Sequence, residues 1–199
     1  MARRGHKHRL EEQTMATEVL ASAETRMQKA VEVFKRDLAG IRTGRASPAL
    51  VERLMVEYYG TPTPLSQLAA ITVPEARLLV IQPWDPAALA AIEKAILKSD
   101  LNLTPTTDGR VIRLVLPPLT EERRKDLVRL VRKKAEEGRI AVRNIRRDAL
   151  EDLKRLEKEK QISEDEFRRL QDRLQKLTDR YIEEVDKAAT RKEEEILEV

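Results

Sequence analysis

Lys125, Arg129, Arg132, Arg139, Arg143 and Arg146 recur at helical spacing and are interrupted in register only by Glu136. Guanidinium groups donate two parallel charge-assisted hydrogen bonds to one phosphate, which ammonium groups cannot do, so an arginine-dominated stripe suits a phosphate backbone. Each member lies about 200° around the helix from the residue two positions later, an argument that places the stripe opposite the apolar face. Aromatic residues make up only 3% of the chain, too few for base stacking along a single strand. Backbone and shape recognition of a folded RNA fits better. The bland alternative is a solvated face of Glu–Arg pairs, each worth about 0.2–0.5 kcal/mol, and composition alone leaves both readings open.

Other chemistries find less support. The chain has no cysteine, hence no thiolate nucleophile, disulfide frame or sulfur-ligated metal. It also lacks a Gly-x-x-x-x-Gly-Lys phosphate loop, so nucleotide hydrolysis by that route is not expected. His6 and His8 have no third ligand nearby, and neither a metal nor a cofactor is expected. Asp85, Asp100 and Asp108 are the carboxylates an enzyme could draw on in the central segment, but no spacing pairs them.

Charge is unevenly distributed along the 199 residues. Residues 120–147 hold eleven Lys and Arg against five acids, whereas residues 148–199 hold twelve against seventeen. This local excess points to a polyanionic partner more clearly than the net charge of +4. No apolar run approaches the ~20 residues that span a bilayer, and the N-terminus has no apolar signal region. A soluble cytoplasmic protein without a membrane partner is expected.

These residues must be positioned by two physically different kinds of structure. All nine prolines fall between Pro48 and Pro118, and the flanks read as long proline-free helices. The first helix carries Leu20, Ala23, Met27, Val31, Phe34, Leu38 and Ile41 on one face and should stop near Gly40–Gly44. Ahead of it, residues 1–14 form a basic extension without periodicity, for which disorder is expected. Thr120 caps a second helix, with Glu121 and Glu122 in its first turn and an apolar face of Leu127, Val131, Ala135, Val142, Ile145, Ala149, Leu153 and Leu156. Gly138 falls in that register at a cost of about 1 kcal/mol, which close packing or a local bend would explain. Ser163-Glu164-Asp165-Glu166 is a capping box for a third helix, with Ile162 placed to staple to Phe167. Phe167, Leu170, Leu174, Leu177, Tyr181, Val185 and Ala188 form its apolar face. Three single stripes in one chain favour an intramolecular bundle over a two-stranded coiled coil. Helices of about 35 residues would make it roughly 50 Å long.

Between the helices, Leu54–Tyr58, Ala70–Val73, Leu78–Gln82 and Val111–Leu116 read as strands. Asp85-Pro86 opens one helix with Leu89, Ile92, Ala95 and Ile96 as its apolar face. Thr107-Asp108-Gly109 is a turn. The fold class is therefore α+β: a three-helix bundle from residues 15–44 and 119–199 and a small β/α/β domain over 45–118.

Several strings are less generic. Ile41-Arg42-Thr43-Gly44-Arg45-Ala46-Ser47-Pro48, Val56-Glu57-Tyr58-Tyr59-Gly60-Thr61-Pro62-Thr63-Pro64-Leu65 and Leu116-Pro117-Pro118-Leu119-Thr120-Glu121-Glu122-Arg123-Arg124 resemble the ribosome recycling factor family. So do Val142-Arg143-Asn144-Ile145-Arg146-Arg147-Asp148 and the Ile162–Glu166 cap, and the likeness runs from about Met15 to Val199. The resemblance implies an L-shaped monomer that binds the post-termination ribosome. It also implies separation of the subunits with elongation factor G and its GTP hydrolysis, without a catalytic site in the factor itself. By matched motif, Arg143 and Arg146 become the leading contacts to large-subunit ribosomal RNA, with Arg129, Arg132, Arg139 and Arg147 in support. Arg42, Gly44, Arg45, Pro117 and Pro118 mark a hinge. Residues 1–14 precede the family's usual start, which makes Met15 a credible initiator. Thr104-Pro105 and Gly138 depart from the family pattern in local geometry. A helical RNA-binding adaptor with no recycling role and an enzyme with its site in the insert are the rival classes.

Overall fold

The computed structural model describes the backbone of residues 2–198 and the side chains of residues 14–198. It divides into two units, Met1–Ile41 with Asp126–Glu194 and Arg42–Lys125 with Glu195–Val199. The helices are α1 (Ala2–Ala39), α2 (Leu89–Lys98), α3 (Glu121–Lys158) and α4 (Glu164–Glu198). The architecture is α+β.

The first unit is made of α1 and most of α3 and α4, whose residues 121–125 and 195–198 fall in the second. Leu20, Ala23, Met27, Val31, Phe34 and Leu38 are buried along α1, and all the expected apolar positions of α3 are buried with them. Ion pairs report the helix directions. Arg26 meets Asp148, while Gly138 of α3 lies against Phe34, so α1 and α3 run antiparallel. Arg132 pairs with Glu193 and Arg139 with Asp186, so α3 and α4 are antiparallel too. Such up-down-up packing lets each single apolar stripe cover the other two.

Gly138 is buried where the three helices meet. A Cβ added there would lie 3.4 Å from Phe34 Cγ and 3.5 Å from Val185 Cγ1, ordinary contact distances, so a methyl group would fit and only a larger side chain would be excluded. α4 begins as expected: Ser163 Oγ accepts from the Glu166 N–H at 3.1 Å, and Glu166 Oε2 accepts from the Ser163 N–H at 3.2 Å. The turn before it follows Lys160, at φ 58°, with the Gln161 N–H donating back to the Leu156 carbonyl.

Two helical expectations change. The α1 backbone is helical from Ala2, through the segment expected to be disordered. Arg, Leu, Glu and Gln are good helix formers, and each residue added to a formed helix gains a hydrogen bond without needing an apolar face. On α4 the buried residues are Leu170, Leu174, Thr178, Tyr181, Val185, Ala189 and Ile196, with Phe167, Leu177 and Ala188 only half-buried. Thr178 escapes a hydropathy reading because its hydroxyl is satisfied locally, donating to the Leu174 carbonyl at 2.8 Å.

The second unit contains β1 (Met55–Tyr58), β2 (Thr61–Pro64), β3 (Ala69–Glu75), β4 (Leu78–Pro83), β5 (Thr106–Thr107) and β6 (Ile112–Val115). β1 and β2 form a hairpin, and the remaining strands form an antiparallel sheet in the order β3-β4-β6-β5. Val56, Leu65, Leu79, Ile81, Ile92, Ile96, Ile112 and Leu114 make its core, fed by alternate strand residues and one face of α2.

β2 and β5 are absent from the sequence reading. Proline normally argues against a strand, yet Pro62 and Pro64 alternate with threonines on a two-stranded ribbon whose outer edge needs no donors. The Tyr59-Gly60 turn takes positive φ at both residues, 49° and 76°, the geometry of a tight two-residue hairpin. β5 is held by its turn: Asp108 Oδ1 accepts from the N–H groups of Arg110 and Val111, and Oδ2 accepts from Arg113 Nη1 at 2.7 Å.

Candidate nucleic-acid interface

Helix α3 starts where Thr120 Oγ1 accepts from the Arg123 N–H at 3.1 Å, behind the exposed Pro117 and Pro118. Its basic stripe is displaced from the expected position. At about 100° per residue the stripe centres roughly 110° from the apolar face, so it flanks the core instead of opposing it. Exposure agrees: the Arg139 side chain is only 25% exposed, and Arg143 and Arg146 are intermediate. Ile140, the neighbours Lys133 and Glu137, and Asn144 occupy the outermost face.

This displacement brings α4 carboxylates to the stripe. Arg132 Nε lies 3.0 Å from Glu193 Oε1. Arg139 Nε lies 3.0 Å from Glu136 Oε2, and its Nη1 lies 2.6 Å from Asp186 Oδ1. Burial alone would lower the pKa of Arg139, but hydrogen bonds to Asp186 and Glu136 outweigh it and hold the group higher. Glu136 is shared, since its Oε1 lies 3.7 Å from Arg143 Nη1. Nearer the start of the helix, Lys125 meets Glu121 and Arg129 meets Asp126, both at 3.4 Å.

Arg146 and Arg147 form no ion pair among the described residues, and neither does the exposed Lys133. The stripe is thus graded, from guanidinium groups already engaged by carboxylates to free ones a turn further along. Lys133 was missed by the search for regular spacing because it lies off the stripe. Glu193 and Asp186 were invisible to it because they come from another helix.

The expected hinge residues all lie within the second unit, Arg42, Gly44 and Arg45 just after its Ile41/Arg42 boundary and Pro117 and Pro118 ahead of α3. Arg42 and Arg45 are exposed between the end of α1 and the 3₁₀ turn Pro48–Leu50. Gly44 takes φ 75°, a left-handed conformation that side chains with a Cβ resist. Thr43 is buried, its hydroxyl donating to Glu195 Oε1 at 3.0 Å. The chain passes between the units at Ile41/Arg42, Lys125/Asp126 and Glu194/Glu195.

The carboxylates of the insert have structural occupations. Asp85 caps the 3₁₀ turn Pro86–Ala88 through the Ala87 N–H, and it accepts the Tyr58 hydroxyl at 2.6 Å. That hydroxyl bond, then the backbone bond, hold Asp85 below its ordinary pKa, while the same bond pushes Tyr58 up to about 12. Asp108 is held at about 2, first by Arg113 and then by the Val111 and Arg110 amides. Carboxylates fixed in their ionised form by capping bonds make weak proton acceptors. Asp100 is exposed in the turn after α2. The side chains of His6 and His8 lie outside the described residues, among which no group of metal-ligating residues occurs. No described helix is long and apolar enough to cross a membrane.

The model of the ribosome recycling factor family matches residues 34–197. The ribosome-recycling factor of Shouchella clausii is 62% identical over 185 residues, 93% of this chain and 100% of that protein. That of Carboxydothermus hydrogenoformans is 61% identical over the same shares. Among solved structures, the solution structure of a ribosome recycling factor aligns at TM-score 0.65 with 54% identity, over 92% of this chain and 98% of that one. A Thermus thermophilus recycling factor, placed with Escherichia coli elongation factor G on the E. coli post-termination complex, aligns at TM-score 0.59 with 55% identity. That alignment also covers 92% and 98% of the respective chains.

Proposed function

The chain belongs to the ribosome recycling factor family, and from that premise we propose that it binds the post-termination ribosome and separates its subunits with elongation factor G and GTP. Full-length similarity to proteins named for this activity is the observation that carries the reading. The partners are those of the T. thermophilus relative, a post-termination ribosome and elongation factor G. In this reading α3 is the ribosomal RNA face. Arg143 and Arg146 make the principal phosphate contacts, and Arg129, Arg132, Arg139 and Arg147 support them. The factor acts as a monomer in the cytoplasm, holds no cofactor, and contributes no catalytic group, because GTP is hydrolysed by its partner. Residues 1–14 are dispensable to the role.

Arg42, Gly44 and Arg45 just after one crossing and Pro117-Pro118 ahead of another form the hinge. Glycine frees one strand and the proline pair stiffens the other, a combination suited to rigid-body rotation of two stable units. Subunit separation from salt-washed post-termination ribosomes tests the function. Splitting should require this protein, elongation factor G and GTP together. Binding to isolated structured RNA as tightly as to ribosomes, without splitting, would instead identify an RNA-binding adaptor.

A further inference from the structure

The basic face of α3 carries its own competitors. Glu136 stands inside the stripe and divides its two oxygens between Arg139 and Arg143. Asp186 and Glu193 reach across from α4 to Arg139 and Arg132. A surface built only to maximise attraction to phosphate would not place three carboxylates among its cations, because each repels the ligand and occupies donors the ligand needs. The Glu136–Arg143 pair, with both groups more than 40% exposed, contributes little to the fold in return, whereas the Arg139–Asp186 and Arg132–Glu193 pairs, in each of which one partner is 25% exposed, also tie α3 to α4.

We propose that Glu136, Asp186 and Glu193 act as an affinity brake on the α3 face, holding Arg132, Arg139 and Arg143 so that phosphate must displace a carboxylate to engage them. Arg146, Arg147 and Lys133 are free to make the first contacts. The held arginines exchange partners afterwards, and the displaced carboxylates remain close enough to recapture them. A protein that must leave the ribosome after each round gains a fast exit from this arrangement, since internal recapture competes with every phosphate contact it touches. The inference rests on α3 being the ribosome-binding face, as proposed above.

The opposite reading makes Glu136 a positioning residue that aims the arginines at the RNA, and the two readings differ in sign. Binding of the full chain to salt-washed ribosomes should be measured between 50 and 200 mM salt for Glu136→Gln, Asp186→Asn, Glu193→Gln and the control Asp172→Asn. Asp172 is exposed on α4 and has no ion pair among the described residues, so the control matches the charge change alone. Freeing one arginine for an additional phosphate contact should tighten binding roughly three- to tenfold, steepen the logarithmic salt slope by about one, and slow dissociation. Asp186→Asn provides a second route should Glu136→Gln disturb the helix. The brake is overturned if the variants bind as wild type or more weakly, or if Asp172→Asn tightens binding equally. Arg143→Gln with Arg146→Gln separates the two levels: weakened binding there beside unchanged Glu136→Gln removes only the brake, whereas unchanged binding in both removes the α3 interface as well.

Discussion

Replacing Arg143 and Arg146 together by glutamine isolates phosphate contact from folding. Arg143 has one loose partner, Glu136 at 3.7 Å, and Arg146 has no ion pair among the described residues. Glutamine keeps part of the aliphatic stem of each side chain against the helix surface. Exposed changes of this kind alter stability by roughly 0.5 kcal/mol each, which for a chain of this size moves the melting temperature by no more than about 4 °C. Binding should respond far more. Each lost phosphate contact removes about 0.7–0.9 from the slope of log affinity against log salt. Over the fourfold interval from about 50 to 200 mM, two contacts make wild-type binding fall some seven- to twelvefold more than binding of the double variant. Fluorescence anisotropy of labelled protein titrated with salt-washed ribosomes at four salt concentrations would read the slopes directly. Parallel plots for the two proteins, with equal affinity at low salt, would refute the assignment. Arg139→Gln is a poorer probe, because Arg139 is mostly buried and joins α3 to α4 through Asp186.

Gly138→Ala should stabilise the bundle by up to about 1 kcal/mol, since its Cβ would make ordinary contacts at 3.4–3.5 Å, whereas Gly138→Leu should destabilise by forcing Phe34 and Val185 apart; thermal unfolding distinguishes gain from loss. The folded pKa of Asp108 is depressed to about 2 from an ordinary 3.8, so its contribution to stability is fully present above about pH 4 and disappears as pH falls through 2. A carboxyl NMR titration with a midpoint near 3.8 would contradict the turn described here. Tying the two units together through an engineered cysteine pair, in a chain with no native cysteine, should preserve ribosome binding and abolish splitting with elongation factor G. Equal recycling rates for the oxidised and reduced forms would remove rotation from the mechanism.

The bundle was legible from residue order because it rests on local rules. Period-3.6 stripes mark the buried faces of α1 and α3, the Ser163–Glu166 box marks the start of α4, and nine prolines confine the insert to the middle of the chain. Recognition of the family rested on strings of contiguous residues, which carry identity without any knowledge of packing. Where only polar balance separates inside from outside, residue order was a weaker guide: Thr178 is buried because its own helix satisfies it, and Pro62 and Pro64 enter a strand because a ribbon edge needs no donor. The character of the basic face was beyond sequence altogether. An arginine's availability depends on which carboxylate the neighbouring helix brings within about 4 Å, and Arg139 meets Asp186 across 47 positions of chain while Arg146, seven residues further on, meets none among the described residues. Helical periodicity fixes the direction of a side chain about its own axis, but Coulomb energy falls with distance in space, and antiparallel packing of α3 on α4 decides that distance.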